Sequence, residues 1–99
     1  MEKLRCQSCG MPLTNGFFGT NKNKSLNEEY CKFCFQLGKF TKPNLKRQEA
    51  IDSSVEHLMS GLKLTKEEAE FLANKTIPSL KRWKKQDYLI KNLKRHFIN

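Results

Sequence analysis

Two Cys-x-x-Cys pairs near the start, a switch to helical periodicity after Pro43 and a cation-rich last fifth predict a small metal-bound α+β fold. It has an N-terminal ribbon or knuckle pair with little strand, followed by a mainly helical C-terminal half of two to three helices. The pairs are Cys6-Gln7-Ser8-Cys9 and Cys31-Lys32-Phe33-Cys34, and they hold all 4 cysteines of the 99 residues. A two-residue spacer lets both sulfurs of a pair reach one ion from a tight turn, and two such turns fill the four positions of a tetrahedral zinc site. The insert between the pairs is slightly longer than is usual for this pattern, which a loop tolerates. Four thiolates leave no position open for water or substrate, so the one zinc ion expected is structural. Iron uses the same four-thiolate cage, and ligands alone do not separate the two metals.

Other uses of the cysteines fit less well. Disulfides suit secreted domains, yet the N-terminal stretch has no apolar core and carries Glu2, Lys3 and Arg5, so no signal peptide is visible. A thioredoxin-like dithiol needs a βαβ setting that the pattern lacks. No apolar run approaches the ~18 residues of a membrane span, and a cytoplasmic protein with reduced thiols and no membrane partner is expected. A segment as short as the first 44 residues buries little surface unaided, so metal binding, worth on the order of 10 kcal/mol in zinc-finger peptides, is part of its folding free energy.

Along residues 1–42, the zinc-ribbon module, Gly10 follows the first pair. A glycine there permits the left-handed backbone of a rubredoxin-like knuckle. Asn15-Gly16 and Gly19-Thr20-Asn21 are turn signals around Phe17-Phe18, and the stretch to Tyr30 reads as a loose hairpin or loop. Phe33, Phe35, Leu37 and Phe40 flank the second pair. They are either stacking platforms for nucleic acid or the miniature core that shields the metal, and the core reading is preferred because such modules have few other apolar residues.

Residues 43–84 form a helical hairpin. Leu45, Ile51, Val55, Leu58, Met59 and Leu62 follow helical spacing, so a first helix is expected from Leu45 to Ser60, capped by Asn44 and stopped at Gly61. Thr65-Lys66-Glu67-Glu68 is a capping box that starts a second helix at Lys66, ending near Asn74 or Lys75. Ile77-Pro78 breaks the pattern. Pro78 then suits the first turn of a third helix carrying Leu80, Trp83, Leu89 or Ile90, Leu93 and Phe97, with Trp83 packed on the hairpin.

At this point the residues resemble a known family. Cys9-Gly10-Met11-Pro12-Leu13, Gly19-Thr20, the run from Glu29 through Cys31 and Cys34 to Phe40, Glu67-Glu68-Ala69 and Pro78-Ser79-Leu80-Lys81-Arg82-Trp83-Lys84 are similar to the bacterial putative zinc ribbon domain family. The resemblance implies that Cys6, Cys9, Cys31 and Cys34 are zinc ligands and that the helical segment belongs to the same domain. Members occur alone or appended to regulators and small enzymes. The chain departs from the pattern at Asn21-Lys22-Asn23-Lys24, where the family usually places an acidic residue and an Asp-Gly turn; Asn23 is expected to supply the turn geometry. Residues 85–99, the basic helical tail, lie outside the shared pattern.

Charge points to a partner. The net formal charge is +9, and residues 79–99 hold seven Lys/Arg against one acid. Lys81, Arg82, Lys84, Lys85, Lys91, Lys94 and Arg95 on one helix would neutralise several phosphates and give salt-dependent nucleic-acid binding; a solvated helix face is the plain alternative. An enzyme fits worst, because Asp52, Asp87, His57 and His96 stand in helical segments without a motif and no phosphate loop is present, so no small-molecule substrate is expected. The expectation is a non-enzymatic structural-zinc interaction module, a nucleic-acid-contacting transcriptional regulator. The alternatives are a protein-partner adaptor without nucleic-acid binding and a thiol–zinc redox or metal sensor.

Overall fold

The computed structural model describes residues 4–84. After an isolated bridge between Arg5 and Pro12 that spans the first cysteine pair come two antiparallel hairpins. Strand β1 (Phe18–Thr20) pairs with β2 (Leu26–Cys31), and the short β3 (Phe35–Gln36) pairs with β4 (Lys39–Phe40). Helices α1 (Arg47–Leu62) and α2 (Lys66–Thr76) follow, then a 3-10 turn (Ile77–Ser79) and a resumed helical turn over 81–84. The small α+β architecture read from the sequence is therefore present, with the loose hairpin of residues 17–30 formed as true strands.

The β1–β2 ladder is irregular for a local reason. Phe18 faces Cys31 whereas Gly19 faces Asn27, so the register shifts between them. Asn27 Oδ1 accepts from the amides of both Glu29 and Tyr30, which bows β2 outward there. The bow aims the Glu29 carbonyl at the Gln7 amide, 2.7 Å away. Gly19 lies beneath three carbonyls: a Cβ on it would stand 2.5 Å from Phe35 O and 2.9 Å from Tyr30 O. Only a residue without a side chain lets the second hairpin cross this closely.

In the β1–β2 turn the left-handed residue is Lys24 (φ 71°), not Asn23. Asn23 contributes differently, its Oδ1 accepting from the Ser25 amide. Helix α1 also begins later than the Asn44 cap predicts. Lys46 is the N-cap, and the Glu49 carboxylate reaches back to its amide at 2.9 Å. Gly61 is inside α1, and the left-handed stop falls at Lys63 (φ 57°). The Thr65 box is formed as predicted, Thr65 Oγ1 accepting from the Glu68 amide and Glu68 Oε1 from the Thr65 amide. Those bonds hold the Glu68 carboxyl below its ordinary value, the Thr65 amide first.

Two cores result. Ala50, Ile51, Ala73, Ile77, Leu80 and Trp83 pack between α1, α2 and the chain beyond them. Cys6, Leu13, Tyr30 and Cys31, with Phe18, Phe35 and Phe40 against them, form the second. Tyr30, Phe35 and Phe40 are a mutual ring cluster with centroids 4.9–5.2 Å apart. The aromatic core expected around the second pair is thus half right: Phe35 and Phe40 belong to it, while Phe33 and Leu37 are 61% and 54% exposed. Pro78 occupies the 3-10 turn and not the first turn of a third helix. The remaining positions of that predicted helix, Leu89, Ile90, Leu93 and Phe97, lie outside the described residues.

Candidate metal centre

Each Cys-x-x-Cys pair bends as a knuckle. In the first, the Gly10 amide donates to Cys6 O at 2.8 Å and Gly10 takes the left-handed backbone (φ 82°) that its place after the pair predicts. In the second, the Cys34 amide donates to Cys31 O at 3.0 Å, and Phe35 continues into β3. The β1–β2 hairpin carries Cys31 at its end and brings the second knuckle against the first.

The four sulfurs converge. Cys6, Cys9, Cys31 and Cys34 Sγ all lie within 4.8 Å of one another, and none is in a disulfide. Cys9 and Cys31 Sγ are 3.8 Å apart. With Zn–S bonds of about 2.3 Å, two corners of a tetrahedron stand about 3.8 Å apart, so the set fits one zinc ion. Cys6 and Cys31 are closed to solvent, and Cys9 and Cys34 are half-buried.

The electrostatics favour a cation at the centre. Sharing protons splits the thiols: Cys6 is held well below the ordinary thiol value, chiefly by the Cys31 thiol, and Cys31 is lowered to about 7, chiefly by Cys34. Cys9 and Cys34 are pushed up, each chiefly by Cys31. Four sulfurs this close cannot all ionise unaided, and a dication supplies the charge that lets them do so with release of protons.

The chain around the sulfurs is fixed by residues that the sequence reading did not single out. Gln7 and Ser8, the two spacers of the first pair, receive residues 81–83. The Lys81 amide donates to Gln7 Oε1 at 3.0 Å and the Arg82 amide to Gln7 O at 3.1 Å. Gln7 thereby caps the helical turn over 81–84 from 74 positions away. Ser8 is 1% exposed; its carbonyl accepts from Trp83 Nε1 at 2.7 Å and its hydroxyl from Arg82 Nη1 at 3.0 Å. The only signal for these roles is that polar residues fill both spacer positions.

Of the predicted nucleic-acid residues, the structure places three. Arg82 is half-buried, donates to Lys42 O at 2.7 Å, and lies over the Phe40 ring (4.0 Å) and the Trp83 ring (4.7 Å). Burial lowers its pKa while the neighbouring Cys34 opposes the shift. Lys81 is exposed and paired with Glu29 at 2.8 Å, which raises its pKa through the same bond. Lys84 is exposed. Lys85, Lys91, Lys94 and Arg95 lie outside the described residues, as do Asp87 and His96. Asp52 and His57 are exposed on α1, and Asp52 accepts from Gln48 Nε2.

Among the described residues no helix is long and apolar enough to cross a membrane. Comparison with curated proteins and with solved structures gives no significant match. The model of the family described as "Putative zinc ribbon domain" matches residues 5–84, from Arg5, just before the first knuckle, to the helical turn that Gln7 caps. The chain belongs to the putative zinc ribbon domain family.

Proposed function

We propose that the protein is a non-enzymatic interaction module in which Cys6, Cys9, Cys31 and Cys34 hold one structural zinc ion and a basic segment beginning at Lys81 contacts nucleic acid as part of a transcriptional regulator. The observation that carries this reading is the junction at Gln7 and Ser8. The two residues between the first pair of sulfurs bind the backbone of Lys81 and Arg82 and the indole of Trp83, so fixing the knuckle fixes where the basic segment begins. Four sulfurs satisfy the metal, which leaves no position for a reacting group. From residue 79 onward seven cations face one acid, a density that draws phosphates. The reading places the protein in a reducing compartment, the cytoplasm, where four thiols stay unoxidised.

Fluorescence anisotropy of the zinc-loaded protein against labelled oligonucleotides, at low and near-physiological salt, tests it. Binding that weakens steeply with salt is expected, and it should be lost when Lys84, Lys85, Lys91 and Lys94 become glutamine with zinc content unchanged. Absence of binding at low salt overturns the nucleic-acid reading. A second reading, a protein-partner adaptor, is favoured by Leu62 at the end of α1 and Phe71 in α2, which are 66% and 68% exposed. It predicts a contact insensitive to salt and to the four lysine changes.

A further inference from the structure

Two aromatic residues of the metal module take no part in its core. Phe33, in the spacer of the second pair, is 61% exposed, and Phe17, just before β1, is 38% exposed. Their rings lie with centroids 6.3 Å apart, tilted by 46°, and Lys32 Nζ stands 5.1 Å from one centroid and 5.5 Å from the other. The backbone beneath them is anchored. The Lys32 amide donates to Phe17 O at 2.9 Å, Thr41 Oγ1 to Phe33 O at 2.6 Å, and the Thr41 amide to Cys34 O at 2.9 Å. The pair is thus held on the knuckle itself, and a ligand that stacks there meets rings whose backbone is already ordered.

We propose that the Phe17–Lys32–Phe33 face is a stacking platform for single-stranded nucleic acid. This deepens the reading above and rests on it. The charge of the module favours an anionic partner: residues 14–44 contain five lysines, at 22, 24, 32, 39 and 42, against Glu28 and Glu29, Glu29 is already paired with Lys81, and Lys32 stands at the rings themselves. The platform also adjoins the basic segment, since Lys42, next to Thr41, holds the Arg82 guanidinium through its carbonyl. Phosphates lying over Lys32 and Lys42 would therefore lead toward Lys84. Rings offer faces, and only unpaired bases have faces free to meet them; in a duplex the bases stack on one another. A lysine poised over both rings supplies the phosphate contact beside the stack. Two exposed rings without this cationic border would fit an apolar protein groove equally well, and the border decides for the nucleic acid.

The test uses the zinc-loaded full chain and a labelled oligothymidylate, with a duplex of equal length and polyglutamate as comparisons. Oligothymidylate is expected to bind more tightly than duplex. Changing Phe17 and Phe33 together to alanine should weaken it about tenfold or more and leave duplex binding and the salt slope unchanged. On the wild-type chain, amide shifts on titration should centre on Phe17, Lys32 and Phe33, a readout that needs no variant to fold. Equal single-strand and duplex binding, indifferent to the ring changes, overturns the platform and leaves the basic-segment reading standing. Polyglutamate bound as tightly as oligothymidylate overturns it in favour of an acidic protein segment. No binding of either nucleic acid overturns both readings.

Discussion

Changing Trp83 to phenylalanine removes one hydrogen-bond donor and part of one ring from the junction between the metal module and the helices. Trp83 is 1% exposed, and its Nε1 donates to Ser8 O at 2.7 Å. Phenylalanine leaves that buried carbonyl without this donor, which costs about 1–3 kcal/mol. The smaller ring leaves a void beside Ile77 and Leu80 that adds about 1 kcal/mol. The expected loss is therefore about 2–4 kcal/mol, a large share of the stability of a small domain. Urea unfolding followed by far-ultraviolet ellipticity, at one fixed free-zinc concentration because metal binding is linked to folding, measures it. Phe71→Ala, at an exposed ring, is the comparison and should cost no more than about 0.5 kcal/mol. A Trp83→Phe loss as small as that would show that the indole bond is not what joins the two cores.

Cys31→Ser should abolish stoichiometric zinc and unfold the N-terminal half, and chelation of the wild-type metal should expose Trp83 and red-shift its fluorescence; a variant that retains one zinc with native spectra would sink the assignment. Gly19→Ala places a Cβ against backbone oxygens at 2.5 and 2.9 Å, so it should destabilise by about 1–3 kcal/mol or more, read as a fall in Tm at fixed zinc. Thr65→Ala should cost about 1 kcal/mol by thermal unfolding. The companion Glu68 carboxyl has a depressed folded value, so its contribution is present at neutral pH and lost as pH falls through that value; a cap whose effect grew on acidification would contradict the assigned bonds.

What the sequence shows of this fold depends on how local each determinant is. The knuckles, the Thr65 box and the start of α2 at Lys66 are written within a few residues, and each stands where the pattern puts it. The start of α1 is equally local but offers two solutions. Asn44 has the better capping side chain, yet the Glu49 carboxylate reaches the Lys46 amide and sets the start there. Strands of two residues have no period to read, so nothing in the order of residues separates half-buried Phe35 and Phe40 from exposed Phe33. The bonds from residues 81–83 to Gln7 and Ser8 span 74 and 75 positions and leave no periodic trace. The four sulfurs were accessible to spacing arguments, whereas the framework that orients them was not.

The Gln7–Ser8 junction also bears on the order in which the chain is made. All four thiols leave the ribosome about fifty residues before Trp83 does, at synthesis rates of about 5–20 residues per second. During those seconds the nascent metal site has its ligands but lacks the indole and guanidinium that close over Ser8. Early zinc capture then guards the thiols against oxidation until the rest of the fold arrives to cover them.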